Sequence, residues 1–239
     1  MDKINTWKLF RYEEVESTND VAKKLCLTEK EDIFVVTSRR QTQGRGRRGH
    51  QWISQEGNLF FSLALGFETE KLGAMVLLTS LSLLQTIKIY NPNADVALKW
   101  PNDVLLNNAK VSGILIEKAI GSYWIIGIGV NIKKAPLSQE ISYKVISLEQ
   151  GGIHTTADVF MAHFLKIFSQ NIELLQTQGF QNLKNLWLKY AKDLGKIIKV
   201  QLEHETLEGL FSGIDNSGFL LLKTKTGTIT ITAGEIFYG

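Results

Sequence analysis

Apolar residues alternate with polar ones in some stretches of this chain and recur every three to four positions in others, and these spacings predict strands and helices respectively. Leu9 to Val15 reads as a first strand. Ser17-Thr18-Asn19-Asp20 follows, with Ser17 and Asp20 at capping-box separation, so a helix is expected to start there. Ile33 to Thr37 and Leu59 to Leu65 have the composition of buried strands. Met75, Leu77, Leu78, Leu81, Leu84 and Ile87 make Gly73 to Tyr90 a long core helix. Val96 to Trp100 is a strand that stops at Pro101, and Pro101-Asn102-Asp103 has the residues of a tight turn. Val104 to Leu106, Lys110 to Lys118 and Tyr123 to Ile132 read as successive antiparallel strands. Gly113, Gly127 and Gly129 interrupt them, which marks either bulges or a flat ligand site on the sheet. Helical spacing returns over Thr156 to Gln178 and Phe180 to Leu194, ending at Gly195. Four short strands then follow between turns: Ile197 to Leu202, Thr206 to Ile214, Phe219 to Lys223 and Thr228 to Thr232. The expected fold is α+β, a mixed and largely antiparallel sheet flanked by helices over residues 1–194, with a small β-barrel over 195–239.

Charge changes this picture at one place. The chain has 239 residues and a net charge of +3, and five of its six arginines (Arg39, Arg40, Arg45, Arg47, Arg48) fall between positions 39 and 48. Three glycines, Gly44, Gly46 and Gly49, are interleaved with them. Guanidinium forks suit phosphate or carboxylate, and glycine lets backbone approach a ligand, so the segment reads as a loop wrapped around a compact anion. Such a loop is expected to be mobile when empty, because ordering it costs entropy and brings like charges together. Outside it, 22 basic residues face 24 acidic ones, which argues against a surface spread over nucleic acid.

The remaining chemistry is mostly exclusions. A single cysteine, Cys26, rules out an internal disulfide, and its neighbours Leu25 and Leu27 suggest a buried small side chain rather than a nucleophile. His50, His154, His163 and His204 lack zinc-site spacing. The N-terminus lacks a signal-peptide core and no segment reaches membrane-span length, so a cytoplasmic location away from membranes is expected. Gly44-x-Gly46-x-x-Gly49 matches a dinucleotide fingerprint only in letters, since no helical pattern follows it; a Walker loop is absent.

Five segments taken together are more specific than any one. They are Ser17-Thr18-Asn19, Gln41-x-x-Gly44-Arg45-Gly46-Arg47-Arg48-Gly49-x-x-Trp52, Lys99-Trp100-Pro101-Asn102-Asp103, Lys110-x-x-Gly113-Ile114-Leu115 and Gly127-Ile128-Gly129-Val130-Asn131. In this order they resemble the biotin–protein ligases. That resemblance implies a class II aminoacyl-tRNA synthetase-like catalytic fold with a C-terminal SH3-like barrel. It also implies ATP-dependent activation of biotin as biotinyl-5′-AMP, with Mg²⁺, and transfer to a lysine of a biotin carboxyl carrier domain. Only 16 residues precede Ser17, so a ligase without DNA binding or repressor function is expected, as monomer or homodimer.

By position, the resemblance assigns Ser17, Thr18, Asn19 and Gln41 to the biotin head, with Gly44, Arg45, Gly46, Arg47, Lys110 and Gly113 also at biotin. It assigns Arg45, Arg47, Arg48, His50, Trp52, Lys99, Asn102 and Asn131 to ATP. Arg47 and Lys110 are the expected catalytic pair, and Asp103 the expected Mg²⁺ ligand. His50 stands where the family usually has arginine. Lipoate–protein ligase is the alternative enzyme, and a nucleic-acid-binding module using the arginine segment is the alternative of another class.

Overall fold

The structure, a computed structural model, describes residues 2–4, 7–29, 33–66, 72–121, 123–137 and 143–237. The first part of the chain forms strands β1 (Asp2–Ile4), β2 (Trp7–Val15), β3 (Ile33–Gln41), β4 (Leu59–Leu65), β5 (Val96–Lys99), β6 (Asp103–Leu106), β7 (Ala109–Lys118) and β8 (Trp124–Val130). Helix α1 (Thr18–Leu25) links β2 to β3, and α2 (Leu72–Tyr90) lies between β4 and β5. Helices α3 (Ala157–Gln178) and α4 (Phe180–Leu188) follow β8. Among the described residues these strands make one sheet, ordered β1-β2-β3-β4-β8-β7-β6-β5. Among the described strands of this sheet only the β2/β3 pair, joined through α1, is parallel. A second, antiparallel sheet holds β9 (Ile197–Gln201), β10 (Thr206–Ile214), β11 (Leu220–Thr224), β12 (Gly227–Ile231) and β13 (Glu235–Phe237), ordered β12-β11-β10-β9-β13. The architecture is the α+β arrangement that the hydrophobic pattern predicts.

Pleating sorts the side chains of the large sheet onto two faces. Phe61, Leu63 and Leu65 of β4, Ile114 of β7, and Ile126, Ile128 and Val130 of β8 join the core beneath α2, α3 and α4. Their neighbours point the other way. On that face Ala22 of α1 packs with Phe34, Val36, Ala64 and Ile125 as a smaller cluster, and the rest of the face is left for the site. Polar residues buried in α2 have partners: Trp187 Nε1 donates to Ser80 Oγ at 3.0 Å and Asn171 Nδ2 to Ser82 Oγ at 2.8 Å. Each of these bonds removes the penalty of an unpaired polar group in the core.

Four sequence expectations change. Helix α4 ends at Leu188 instead of Leu194, because the following residues serve the sheet edge: Leu98 N–H donates to Tyr190 O and Lys192 N–H to Leu98 O, each at 2.8 Å. Covering an edge strand in this way satisfies groups that solvent would otherwise have to reach. The capping box does not form. Ser17 makes no side-chain cap, and Gln41 Oε1 accepts from Thr18 N–H at 2.8 Å instead, while Asp20 turns to Arg45. Gly73–Tyr90 does reach membrane-span length, with mean hydropathy 1.3 over 18 residues, yet 67% of it is buried inside the protein as core helix. Finally, β13 adds a fifth strand to the second sheet, pairing Glu235 with Gln201. Three residues beside Ala233-Gly234 carry too little alternation to read as a strand.

Helix α2 meets the second sheet closely at Gly73. A Cβ there would collide with Ser217 O in the β10–β11 turn, and nearby Trp100 Nε1 donates to Gly218 O at 3.2 Å. We expect Gly73→Ala to destabilise the protein by about 1–3 kcal/mol, the usual cost of overpacking, as measured by urea unfolding. An unchanged midpoint would show that this junction can yield.

Candidate active site

A cavity of about 680 Å³ opens on the α1 side of the large sheet, with Gly234, Glu235 and Ile236 of the second sheet in its wall. Its position follows from the pleat. Gly113 of β7 faces Gly129 of β8 in register, and Gly127 lies two residues before Gly129 on the same face. These glycines are neither bulges nor bare ligand surface. A Cβ on Gly113 would lie 2.9 Å from Trp52 Cζ3, one on Gly129 would overlap the same indole, and one on Gly127 would overlap the Asn19 carboxamide. The missing side chains make room for Trp52 and Asn19 to lie against the sheet.

Ser17, Thr18, Asn19 and Gln41 come together at one end of the cavity. Thr18 Oγ1 donates to Gln41 Oε1 at 3.1 Å, and Ser62 Oγ lies 2.7 Å from Thr18 Oγ1 and 2.6 Å from Asn19 Oδ1. Asn19 Nδ2 donates to Glu117 Oε2 at 2.6 Å. The first turn of α1 is thus tied to three strands.

The arginine segment divides its tasks. Arg39 and Arg40 belong to β3, where they face Glu13 and Glu14 of the parallel neighbour at 3.2 and 3.1 Å and stay largely exposed. They do not enter the cavity, which corrects the reading of a five-arginine wrap. Gly44 to Trp52 forms a hairpin, closed by Trp52 N–H to Gly44 O at 2.9 Å and Gly46 N–H to His50 O at 2.7 Å. At its tip Arg48 has φ 52 and Gly49 φ 80. Arg45 holds Asp20 through two bonds of 2.6 Å. The Arg45 bond, outweighing partial burial, keeps the Asp20 carboxyl below its ordinary value of 3.8. Arg48 donates to Gln201 O and Leu202 O, each at 3.0 Å, and His50 Nε2 lies 3.8 Å from Glu235 Oε2. Both therefore point from the hairpin to the second sheet.

Arg45, Arg48 and His50 line the cavity while held by these partners, and Arg47 lines it with its guanidinium 3.5 Å from Asn102 Oδ1. Burial lowers the pKa of Arg47 and of Lys99, against the attraction of Asp103 and Glu235. Lys110 goes the other way. Burial opposes its charge, but Asp103 at 2.7 Å and Tyr143 outweigh it, so its pKa lies above the ordinary lysine value. The ammonium also lies 5.6 Å from the Trp52 ring and 5.1 Å from the Tyr143 ring, within cation–π range. Cys26 plays no part: burial pushes its thiol up to about 11.

Two expected site residues are not in the cavity wall. Asn131 is buried, with Nδ2 donating to Ile146 O at 3.2 Å, so it ties the segment after β8 back to the sheet. Gly44 serves the hairpin, since a Cβ would come within 2.5 Å of Trp52 O. Asp103, expected at a metal, is ion-paired with Lys110. Conversely, Ser62, Glu117, Tyr143 and Glu235 carry parts of the site that sequence reasoning missed. Signals existed for two of them: Ser62 is the lone polar residue within Leu59 to Leu65, and Glu117 continues the period-two series Gly113, Leu115.

Fold and cavity define an α+β small-molecule-binding protein with cations gathered on one side of its site. Two family models match the chain: Biotin/lipoate A/B protein ligase family over residues 12–131, and Biotin protein ligase C terminal domain over residues 193–239. A biotin--[acetyl-CoA-carboxylase] ligase of Paracoccus denitrificans is 34% identical, covering 94% of this chain and 98% of the relative. The bifunctional ligase/repressor BirA of Bacillus subtilis is 32% identical, covering 97% of this chain and 74% of the relative. A solved biotin protein ligase from Aquifex aeolicus, in complex with biotin and ATP, superposes with a TM-score of 0.85 at 30% identity, covering 96% of this chain and 97% of that one. The chain belongs to the biotin protein ligase family.

The Arg45–Asp20 pair has a pH signature. A carboxylate whose folded pKa is depressed adds stability above its unfolded value and loses it as pH falls through the folded one. Comparing wild type with Asp20→Asn, we expect a stability difference below about 1 kcal/mol, after discounting for solvent screening, that is constant above pH about 5. It should disappear as pH falls below the ordinary aspartate value. Urea unfolding at stepped pH measures it, and a difference independent of pH would exclude the ion pair as its source.

Proposed function

We propose that the cavity binds biotin and ATP, joins them, and passes the biotinyl group to a lysine of a carboxylase's carrier domain. In the first step a biotin carboxylate oxygen bonds to the α-phosphorus of ATP and pyrophosphate leaves, giving biotinyl-5′-adenylate. In the second, the carrier lysine's amine attacks the acyl carbon, loses a proton, and AMP departs. The carrying observation is that a polar pocket at the start of α1 opens into the same cavity as Arg47, Lys99 and Lys110. Two anionic reactants repel one another, and fixed cations offset that repulsion where charge develops. Lys110 and Arg47 would take this role, Trp52 and Asn102 would flank the nucleotide, and Ser17, Thr18, Asn19 and Gln41 would receive the biotin ring.

Mg²⁺ fits as a companion of ATP rather than a resident ion. Among the described residues no group of three His, Cys, Asp or Glu side chains could hold a metal. Magnesium commonly needs only one or two carboxylates beside substrate phosphates, and Asp103 would supply one while the ion neutralises phosphate charge.

Incubation with ATP, Mg²⁺ and either biotin or lipoate, followed by acid-stable label on an apo carrier domain, tests the reading. Biotin should label; labelling by lipoate alone would overturn it. We expect Lys110→Met and Arg47→Ala each to lower the rate of adenylate formation by about 10²–10³-fold, followed as pyrophosphate exchange. His50 offers a separate check. If it contacts ATP, His50→Ala should raise the KM for ATP several-fold while leaving the KM for biotin unchanged. An unchanged KM for ATP would leave His50 outside the phosphate site.

A further inference from the structure

Asn19 lies in a cradle built by three neighbouring strands. Beneath it is Gly127 of β8, whose absent Cβ makes the space. On one side is Ser62 of β4, the residue paired with Gly127 in the sheet register, and its Oγ lies 2.6 Å from Asn19 Oδ1. On the other is Glu117 of β7, accepting from Asn19 Nδ2 at 2.6 Å. A carboxylate only accepts, so Glu117 decides which end of the carboxamide faces it. The orientation of Asn19 is therefore not free. Its oxygen accepts from Ser62, and its Nδ2, held by Glu117 through one N–H, keeps the second N–H as a donor for the cavity.

Glu117 reaches further than Asn19. Its other oxygen, Oε1, takes Lys23 Nζ at 2.8 Å, and Oε2 lies 3.6 Å from Arg45 Nη2, whose guanidinium is also clasped by Asp20. One half-buried carboxylate thus joins α1, β7 and the base of the arginine hairpin. Glu117 is not itself in the cavity wall, so whatever it contributes passes through residues that are.

We propose that Glu117 is a positioning residue that sets the hydrogen-bond pattern of the ring-binding end of the cavity, and through it the preference for a ligand whose ring carries a carbonyl acceptor. The proposal rests on the reading of this cavity as a biotin site. With Glu117 in place, Asn19 presents a donor. Gln41 Oε1 is likewise occupied by Thr18, which leaves the Gln41 amide N–H groups as donors. A cyclic urea carbonyl meets this pattern, while an acid with a saturated hydrocarbon or dithiolane ring has no acceptor to give it.

The test is direct binding, without ATP, of biotin to wild type, Glu117→Ala, and the double variant Asn19→Asp/Glu117→Gln. The double variant can restore a hydrogen bond between positions 19 and 117 but leaves an acceptor where a donor stood. In Glu117→Ala we expect the biotin Kd to rise about tenfold or more, the effect of losing a charge-assisted hydrogen bond, while ATP Kd stays within about twofold. In the double variant we expect thermal stability to recover toward wild type while biotin affinity does not. Parallel loss of biotin and ATP binding, or recovery of biotin affinity in the double variant, would reduce Glu117 to a structural contact and overturn the proposal. If wild type binds no biotin, the functional reading itself fails. If wild type binds it and Glu117→Ala binds equally well, only the role of Glu117 fails.

Discussion

Asp103 is the anion on which the cation-rich side of the cavity depends. Its carboxylate attracts Lys110 at 2.7 Å and acts electrostatically on Arg47 and Lys99 as well. Burial opposes the charge of all three cations, and without a counter-ion a buried cluster of like charges would shed protons or refuse to assemble. The balance differs among them. Lys110, closest to Asp103, gains more from the pair than it loses by burial, whereas Arg47 and Lys99 do not. An arriving phosphate would take over part of this neutralisation.

The glycines of β7 and β8 set where that arrangement can stand. Strand pleating sends Ile114, Ile126 and Ile128 to the core and leaves Gly113, Gly127 and Gly129 on the opposite face, so one alternation builds both the hydrophobic interior and the site. Trp52 covers two of these glycines and Asn19 the third. Side chains from the arginine hairpin and from α1 are thereby fixed against a rigid sheet rather than suspended in loops. The second sheet completes the enclosure through Gly234, Glu235 and Ile236 and accepts from Arg48 at Gln201 O and Leu202 O, which links the hairpin's position to the packing of a unit more than a hundred residues away in sequence.

Much of this was legible from local pattern. The strands through Leu65, the core helix of Met75 to Ile87, and the antiparallel series from Val104 to Ile132 follow from period-two and helical spacing, and the site segments follow from their order along the chain. Where local reading failed, a distant partner had intervened. Helix α4 stops early because β5 needs an edge partner. The cap of α1 comes from Gln41 because Asp20 is held by Arg45. Arg39 and Arg40, indistinguishable in sequence from Arg47, face Glu13 and Glu14 because β3 runs parallel to β2 with Glu14 opposite Arg40.

Hydrophobic periodicity and glycine placement are properties of neighbouring residues, so the element types and the α+β class could be read from the chain alone, while the candidate chemistry came from the resemblance carried by five short segments. Which arginines line the cavity, which residue holds Asn19 and which carboxylate pairs with Lys110 depend on strand order and register. Those are set by packing between residues far apart in sequence, and charge pairing then follows from which side chains the sheet brings within reach.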